Sequence, residues 1–193
     1  MKKLLCVVDY QNDFVSPDGK VAKQLGNDKL LKAQALLPKI QQLLDAWHKR
    51  SDPVLFLQSD YSLKNYKASF QEGRKNSAYS NAAIVGTWGH ALFGLQPAAS
   101  DARLVKLYFD GFYQSALEDT LVKQEITDVY FCGINTDVCV FHTAIGAIVR
   151  GYRSYVIEDA TETVSSAEQK AIFLQYLKNY VGVQIVPLRD VLL

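Results

Sequence analysis

Long apolar runs are missing from this sequence. Near the start, residues 4–8 are apolar and Asp9 ends the run. A bilayer-crossing helix needs about 20 apolar residues and a secretory leader about 7–15. Residues 1–9 therefore read as a first core strand, and a membrane is not an expected partner. Cysteine is scarce, with Cys6, Cys132 and Cys139 only. Their odd number and spacing fit neither a disulfide framework nor a zinc site, and agree with a reducing, cytoplasmic compartment. An excess of one charge is also absent: 21 basic residues face 20 acidic ones, for a net charge of +1. Without a basic run or stripe, nucleic acid and anionic surfaces are not expected partners. No repeat, low-complexity tract or linker divides the chain, so its 193 residues, 49% of them apolar, read as a single domain over 1–193.

What is present is an alternation of short apolar runs and longer helical patterns. Residues 4–8, 54–57, 104–107, 129–132, 155–157 and 183–186 read as strands, apolar on both faces and therefore buried between helix layers. Helical periodicity covers residues 30–50, where Pro38 either bends the helix or marks its start. It also covers 115–124, 136–150 with Gly151 as a stop, and 165–179. Ser165-Ser166-Ala167-Glu168 reads as a capping box for the last of these. This order predicts an α/β fold: a doubly wound, mostly parallel sheet of about six strands with helices on both faces, a Rossmann-like three-layer sandwich. One stretch, 60–101, is too long for an ordinary connection. Its aromatic residues Tyr61, Tyr66, Phe70, Tyr79, Trp88 and Phe93 predict an ordered loop that covers a substrate.

Sites in such sheets form beyond the carboxyl ends of the strands. Asp9 ends the first strand, Lys106 the third, and Cys139 follows the fourth within the first turns of a helix. The topology can bring an acid, an ammonium and a thiol together on one sheet edge. A thiol attacks only as thiolate, which a helix start and a nearby ammonium both favour. Asp9 can accept the thiol proton and return it to a leaving amine. Lys106 can hold the carboxylate and offset negative charge. Singly, each residue has a plainer reading: Asp9 as a loop cap, Lys106 as a surface lysine, Cys139 as a small buried residue. Their joint placement favours chemistry.

Other candidates are weaker. His142, three residues after Cys139 on the same helical face, offers a rival Cys–His dyad, though packing explains it as well. His48 near a helix end and His90 in the long loop suit surface roles. Cys6 and Cys132 read as core residues.

Asp9-Tyr10-Gln11-Asn12-Asp13-Phe14 and Gly133-Ile134-Asn135-Thr136-Asp137-Val138-Cys139-Val140 resemble the opening and nucleophile motifs of the isochorismatase-like hydrolase superfamily. Lys106 stands where that family's catalytic lysine belongs. Gly86-Thr87-Trp88-Gly89 and Glu158-Asp159-Ala160 also resemble family segments, so the resemblance spans nearly the whole chain. It implies an isochorismatase-like sandwich, a catalytic triad of Asp9, Lys106 and Cys139, and a cis peptide at Ile134–Asn135 that turns the amides of Asn135 and Cys139 toward an oxyanion. It also implies a homo-oligomer. Phe14, Tyr61, Phe109 and Phe112 are the candidate substrate-contacting residues. Family members that cleave the vinyl ether of isochorismate typically lack the cysteine. Nicotinamidases carry a metal held by Asp-x-His and further histidines, whereas here Asp60 is followed by Tyr61 and Ser62, and no histidine lies between His48 and His90. The expectation is therefore a hydrolase of a small amide, carbamoyl or ureido compound, with no metal and no cofactor. The alternatives are a nicotinamidase, a vinyl-ether hydrolase, and a non-catalytic binding protein on the same fold.

Overall fold

Two-sided burial explains the central strands. The computed structural model describes residues 1–192. Its first strand, β1 (Lys3–Val8), sends Leu5 and Val7 into one core cluster and Leu4, Cys6 and Val8 into the other. The strands β2 (Val54–Ser59) and β4 (Asp128–Ile134) divide their side chains the same way, as period-2 geometry requires. With β3 (Ala102–Lys106), β5 (Arg153–Glu162) and β6 (Gln184–Val186), they form one six-stranded sheet in the order β3-β2-β1-β4-β5-β6. Every pairing is parallel.

Helices cover both faces. The short turn α1 (Asn12–Val15), α2 (Asn27–Gln34) and α3 (Leu37–Lys49) lie over the first core cluster. The helix α4 (Ala68–Arg74) interrupts the long loop, and α5 (Leu117–Lys123), α6 (Phe141–Val149) and α7 (Ala167–Tyr176) cover the second cluster. The last turn, α8 (Leu188–Val191), returns to the first face. Among the described residues no helix is long and apolar enough to cross a membrane.

Local details depart from the sequence pattern for identifiable reasons. The helix expected over 30–50 is two helices, and Pro38 sits in the first turn of α3, where its missing N–H has no partner to lose. Residues Thr136–Val140 form a wide π turn before α6, closed by the Val140 N–H to the Asn135 carbonyl at 3.1 Å. The cap of α7 is Ser166, one residue later than the expected box, and its side chain accepts from the Gln169 N–H at 3.1 Å. β3 is an edge strand with Arg103 and Val105 exposed, not the doubly buried strand expected.

The strand order reverses between β1 and β4. A crevice therefore opens at their carboxyl ends, the usual place for a ligand site in a doubly wound sheet.

Candidate active site

Each functional side chain is delivered by a strand end. Asp9 directly follows β1 with φ of 50°, in the left-handed region, and its N–H donates to the Leu57 carbonyl at 2.8 Å. Ser59 ends β2 and Lys106 ends β3, and these two are register partners in the sheet. Cys139 lies on the π turn after β4. Gly133 lets β4 approach β1: a Cβ there would sit 2.2 Å from the Val8 carbonyl oxygen, and its φ of 105° also favours glycine. The Ile134–Asn135 peptide that follows is cis.

The first motif works as a clamp. Gln11 Oε1 accepts the Ser59 N–H at 2.8 Å, and its Nε2 donates to the carbonyls of Ser59 and His90, both at 3.0 Å. Asn12 donates to the Trp88 carbonyl at 2.8 Å. Asp13 accepts the N–H groups of Lys20 at 2.9 Å and Ala83 at 2.7 Å. These bonds pin the long loop to the end of β1, so the residues beside Asp9 hold the roof over it.

Asp9, Lys106 and Cys139 meet in the interior. Lys106 Nζ lies 2.9 Å from Asp9 Oδ2 and 3.2 Å from Cys139 Sγ. The Lys106 side chain is 0% exposed, so the ion pair is not screened by solvent. Lys106 also donates to Ser59 Oγ at 2.7 Å and to the Tyr108 carbonyl at 3.1 Å. The Ser59 hydroxyl donates to Asp9 Oδ1 at 2.9 Å, closing a ring of three groups. Tyr61 Oη is 3.8 Å from Cys139 Sγ.

Electrostatics decide the resting protonation state. Burial pushes the Cys139 thiol up to about 12; the Asp9 charge adds to this, and Lys106 opposes it. The turn and the ammonium thus do not hold a thiolate, as the sequence alone implied: desolvation outweighs them, and the thiol keeps its proton until a base removes it. Burial works against the Lys106 ammonium, but Asp9 and then Cys139 overcome it and raise its pKa. These shifts favour an ammonium on Lys106 and a neutral thiol on Cys139.

The three groups open on a cavity of about 220 Å³ lined by Asp9, Phe14, Tyr61, Phe109, Asn135 and Cys139, with Val21, Arg74, Tyr79, Ile134, Val138 and Val164. Phe14, Tyr61 and Phe109 thus line the cavity. Phe112 does not: it packs in the second core cluster, its ring stacked 6.3 Å from Tyr152. The cause is Gly111, which nests against Leu57 and Thr143 and turns the next side chain inward. Of the long-loop aromatics, Tyr61 and Tyr79 reach the cavity, whereas Trp88 is exposed and Phe93 packs on Tyr10. His142 is exposed and bonded to the Val138 carbonyl at 2.6 Å, not to the thiol. His48 pairs with Asp101 at 2.8 Å. Ser59 and Arg74 have no counterpart among the residues singled out from the sequence. Ser59 is a plain strand-end serine until the register sets it beside Lys106.

The residues do not fit a metal. Asp60 Oδ1 accepts from Ser62 N–H at 2.9 Å and from the Ser62 hydroxyl at 2.5 Å, and Oδ2 accepts from Asn65 at 2.9 Å. The serine in place of a histidine satisfies the carboxylate as part of a loop turn. Among the described residues no three His, Cys, Asp or Glu side chains cluster as a metal site.

Known proteins resemble this chain in both sequence and fold. The isochorismatase domain matches residues 3–186. The chain belongs to the isochorismatase family. It is 31% identical over 186 residues to the ureidoacrylate amidohydrolase RutB of Stutzerimonas stutzeri, covering 88% of this chain and 74% of that protein. The N-carbamoylsarcosine amidase of Thermoplasma acidophilum superposes with a TM-score of 0.78 at 25% identity, covering 97% of each chain. The pyrazinamidase/nicotinamidase of Streptococcus mutans superposes at 0.80 with 26% identity, covering 96% of this chain and 100% of that one. This isochorismatase-family chain is thus similar to several amidohydrolases that differ in substrate.

Proposed function

We propose that the protein is an amidase that cleaves the C–N bond of a small amide, carbamoyl or ureido compound through an acyl-enzyme on Cys139. One observation carries the reading: Lys106 Nζ spans Asp9 and Cys139 at 2.9 and 3.2 Å, fully buried, beside a cavity with a mostly apolar wall. Asp9 removes the thiol proton as Sγ adds to the substrate carbonyl carbon. Lys106 keeps the carboxylate aimed and offsets the charge that forms on sulfur. The amides of Asn135 and Cys139, both on the cavity wall, receive the oxyanion. As the tetrahedral adduct collapses, the C–N bond breaks and protonated Asp9 gives its proton to the departing nitrogen. Asp9 then takes a proton from water, the hydroxide adds to the acyl carbon, and the C–S bond breaks. The proton on Asp9 returns to sulfur.

The test is ammonia release across carbamoyl amino acids, ureidoacrylate, biuret, nicotinamide and simple amides. Wild type should turn over at least one, and Cys139→Ala should abolish that turnover. Retained activity in Cys139→Ala rejects the acyl-enzyme; no turnover of any compound returns the binding-protein reading. A chelator should leave the rate unchanged. Loss on chelation that divalent metal restores would return the nicotinamidase reading.

A further inference from the structure

Arg74 is a charged residue of the cavity wall that these steps do not use. It is the last residue of α4, a helix with no buried residue of its own. Its guanidinium carbon lies 5.3 Å from the ring centres of Tyr61 and Phe70, 5.2 Å from Tyr79 and 4.9 Å from Phe109. Four rings hold the cation in place, but a ring face gives its N–H groups no oxygen acceptor. Among the described residues Arg74 has no carboxylate partner and donates no side-chain hydrogen bond. Nearby acids are taken: Asp9 by Lys106 at 2.9 Å, and Asp137 by Thr163 and Gln169, both at 2.6 Å. The five donors of a guanidinium need acceptors, and the apolar wall formed by Phe14, Val21, Ile134, Val138 and Val164 offers none.

We infer that Arg74 is the specificity residue for a carboxylate on the substrate, so that the preferred compound is a small acid carrying a carbamoyl, ureido or amide group. This rests on the amidase reading and narrows it. A guanidinium binds a carboxylate through paired N–H···O bonds, and the aromatic clamp fixes its position in advance. Tyr61 sets the spacing: its hydroxyl is 3.8 Å from Sγ, and its ring lies under Arg74. A carboxylate on Arg74 and a carbonyl at Sγ thus flank the same tyrosine, which suits a compact substrate such as a short amino acid derivative. The same geometry disfavours neutral amides, which offer Arg74 no charged partner.

The experiment separates binding from turnover. On Cys139→Ala protein, calorimetry compares N-carbamoylglycine and N-carbamoyl-β-alanine with their neutral primary amides. The better acid should bind about tenfold or more tighter than its amide, the range of a charge-assisted pair. Adding Arg74→Met should erase that difference, and Arg74→Lys should keep part of it. Arg74→Met in the active enzyme should lower kcat/KM for the acid selectively. A merely structural role for the clamp would lower acid and amide alike, and that result overturns the inference. So does equal binding of acid and amide, or binding of neither. Ammonia release without an acid preference refutes the Arg74 role and leaves the amidase standing. Acid-selective binding lost in Arg74→Met, with no turnover of any compound, does the reverse.

Discussion

Replacing Lys106 by Met removes the cation and keeps the side-chain length. In the native site the Lys106 side chain is 0% and Asp9 5% exposed, and their atoms are 2.9 Å apart. The variant leaves a buried carboxylate with the Ser59 hydroxyl and no positive partner. Breaking a buried pair from one side destabilises by about 3–5 kcal/mol. For a chain of this size that is a fall in Tm of about 6–20 °C. The double variant Asp9→Asn, Lys106→Met removes both charges and should recover much of the loss, because the unpaired charge is the main penalty. Thiol chemistry gives an independent reading. Lys106 is among the groups that lower the Cys139 pKa, so its loss should push the thiol higher and slow alkylation by iodoacetamide at fixed pH. Ammonia release should fall below detection in both variants. Melting curves and alkylation rates check all of this. A single Met variant within about 1 kcal/mol of wild type would refute the claim that the pair is desolvated, as would a double variant no more stable than the single.

Two further outcomes follow from the same geometry. Ser59→Ala opens the ring joining Asp9 and Lys106, and should lower kcat about 10–100-fold with KM nearly unchanged, since it disturbs alignment and touches no substrate; an unchanged kcat in steady-state assays would remove Ser59 from the site. Stability should fall in alkali. Burial raises the thiols of Cys6 and Cys132 well above their ordinary value of 9.0 and Cys139 to about 12. Below pH 9 neither folded nor unfolded thiols are ionised. Above it the unfolded chain loses protons first, so each thiol removes about 1.4 kcal/mol per pH unit until its folded pKa is reached. Urea titrations between pH 7 and 11 should show this decline, and a flat profile would contradict the burial of the three thiols.

How far the sequence could be read depends on what each residue answers to. The strands β1, β2 and β4 were legible because burial on two faces leaves no choice but an unbroken apolar run. Asp9 and Lys106 stood out as charges at the ends of such runs, and the topology then brought their strands to one edge. Ser59 and Arg74 have no such contrast. Ser59 matters because β2 and β3 pair in the register that sets it beside Lys106, and a register is invisible in either strand alone. Arg74 closes a helix with no buried residue, so no periodic pattern marks it. Phe109 and Phe112 look interchangeable in the sequence, and only the tight packing of Gly111 sends one to the cavity and the other to the core.

Cys139 shows most clearly where a local rule yields to tertiary structure. A turn at a helix start and a lysine at 3.2 Å both argue for a thiolate. Yet the side chain is buried, and Asp9 already neutralises that lysine at 2.9 Å. A second anion would leave the group of Asp9, Lys106 and Cys139 with net negative charge inside an apolar wall. The neutral thiol avoids this, and in the proposed mechanism the proton moves to Asp9 only as sulfur gains a carbonyl carbon to share its electrons. Activation is thereby tied to substrate arrival. A standing thiolate would be open to any electrophile small enough to enter; this arrangement makes the nucleophile only when an acyl group is in place. Its signature is a ratio: Cys139 should react sluggishly with iodoacetamide at neutral pH while the same protein turns over its amide. Alkylation as fast as that of a thiolate with a pKa below 7 would refute the coupling, whatever the substrate proves to be.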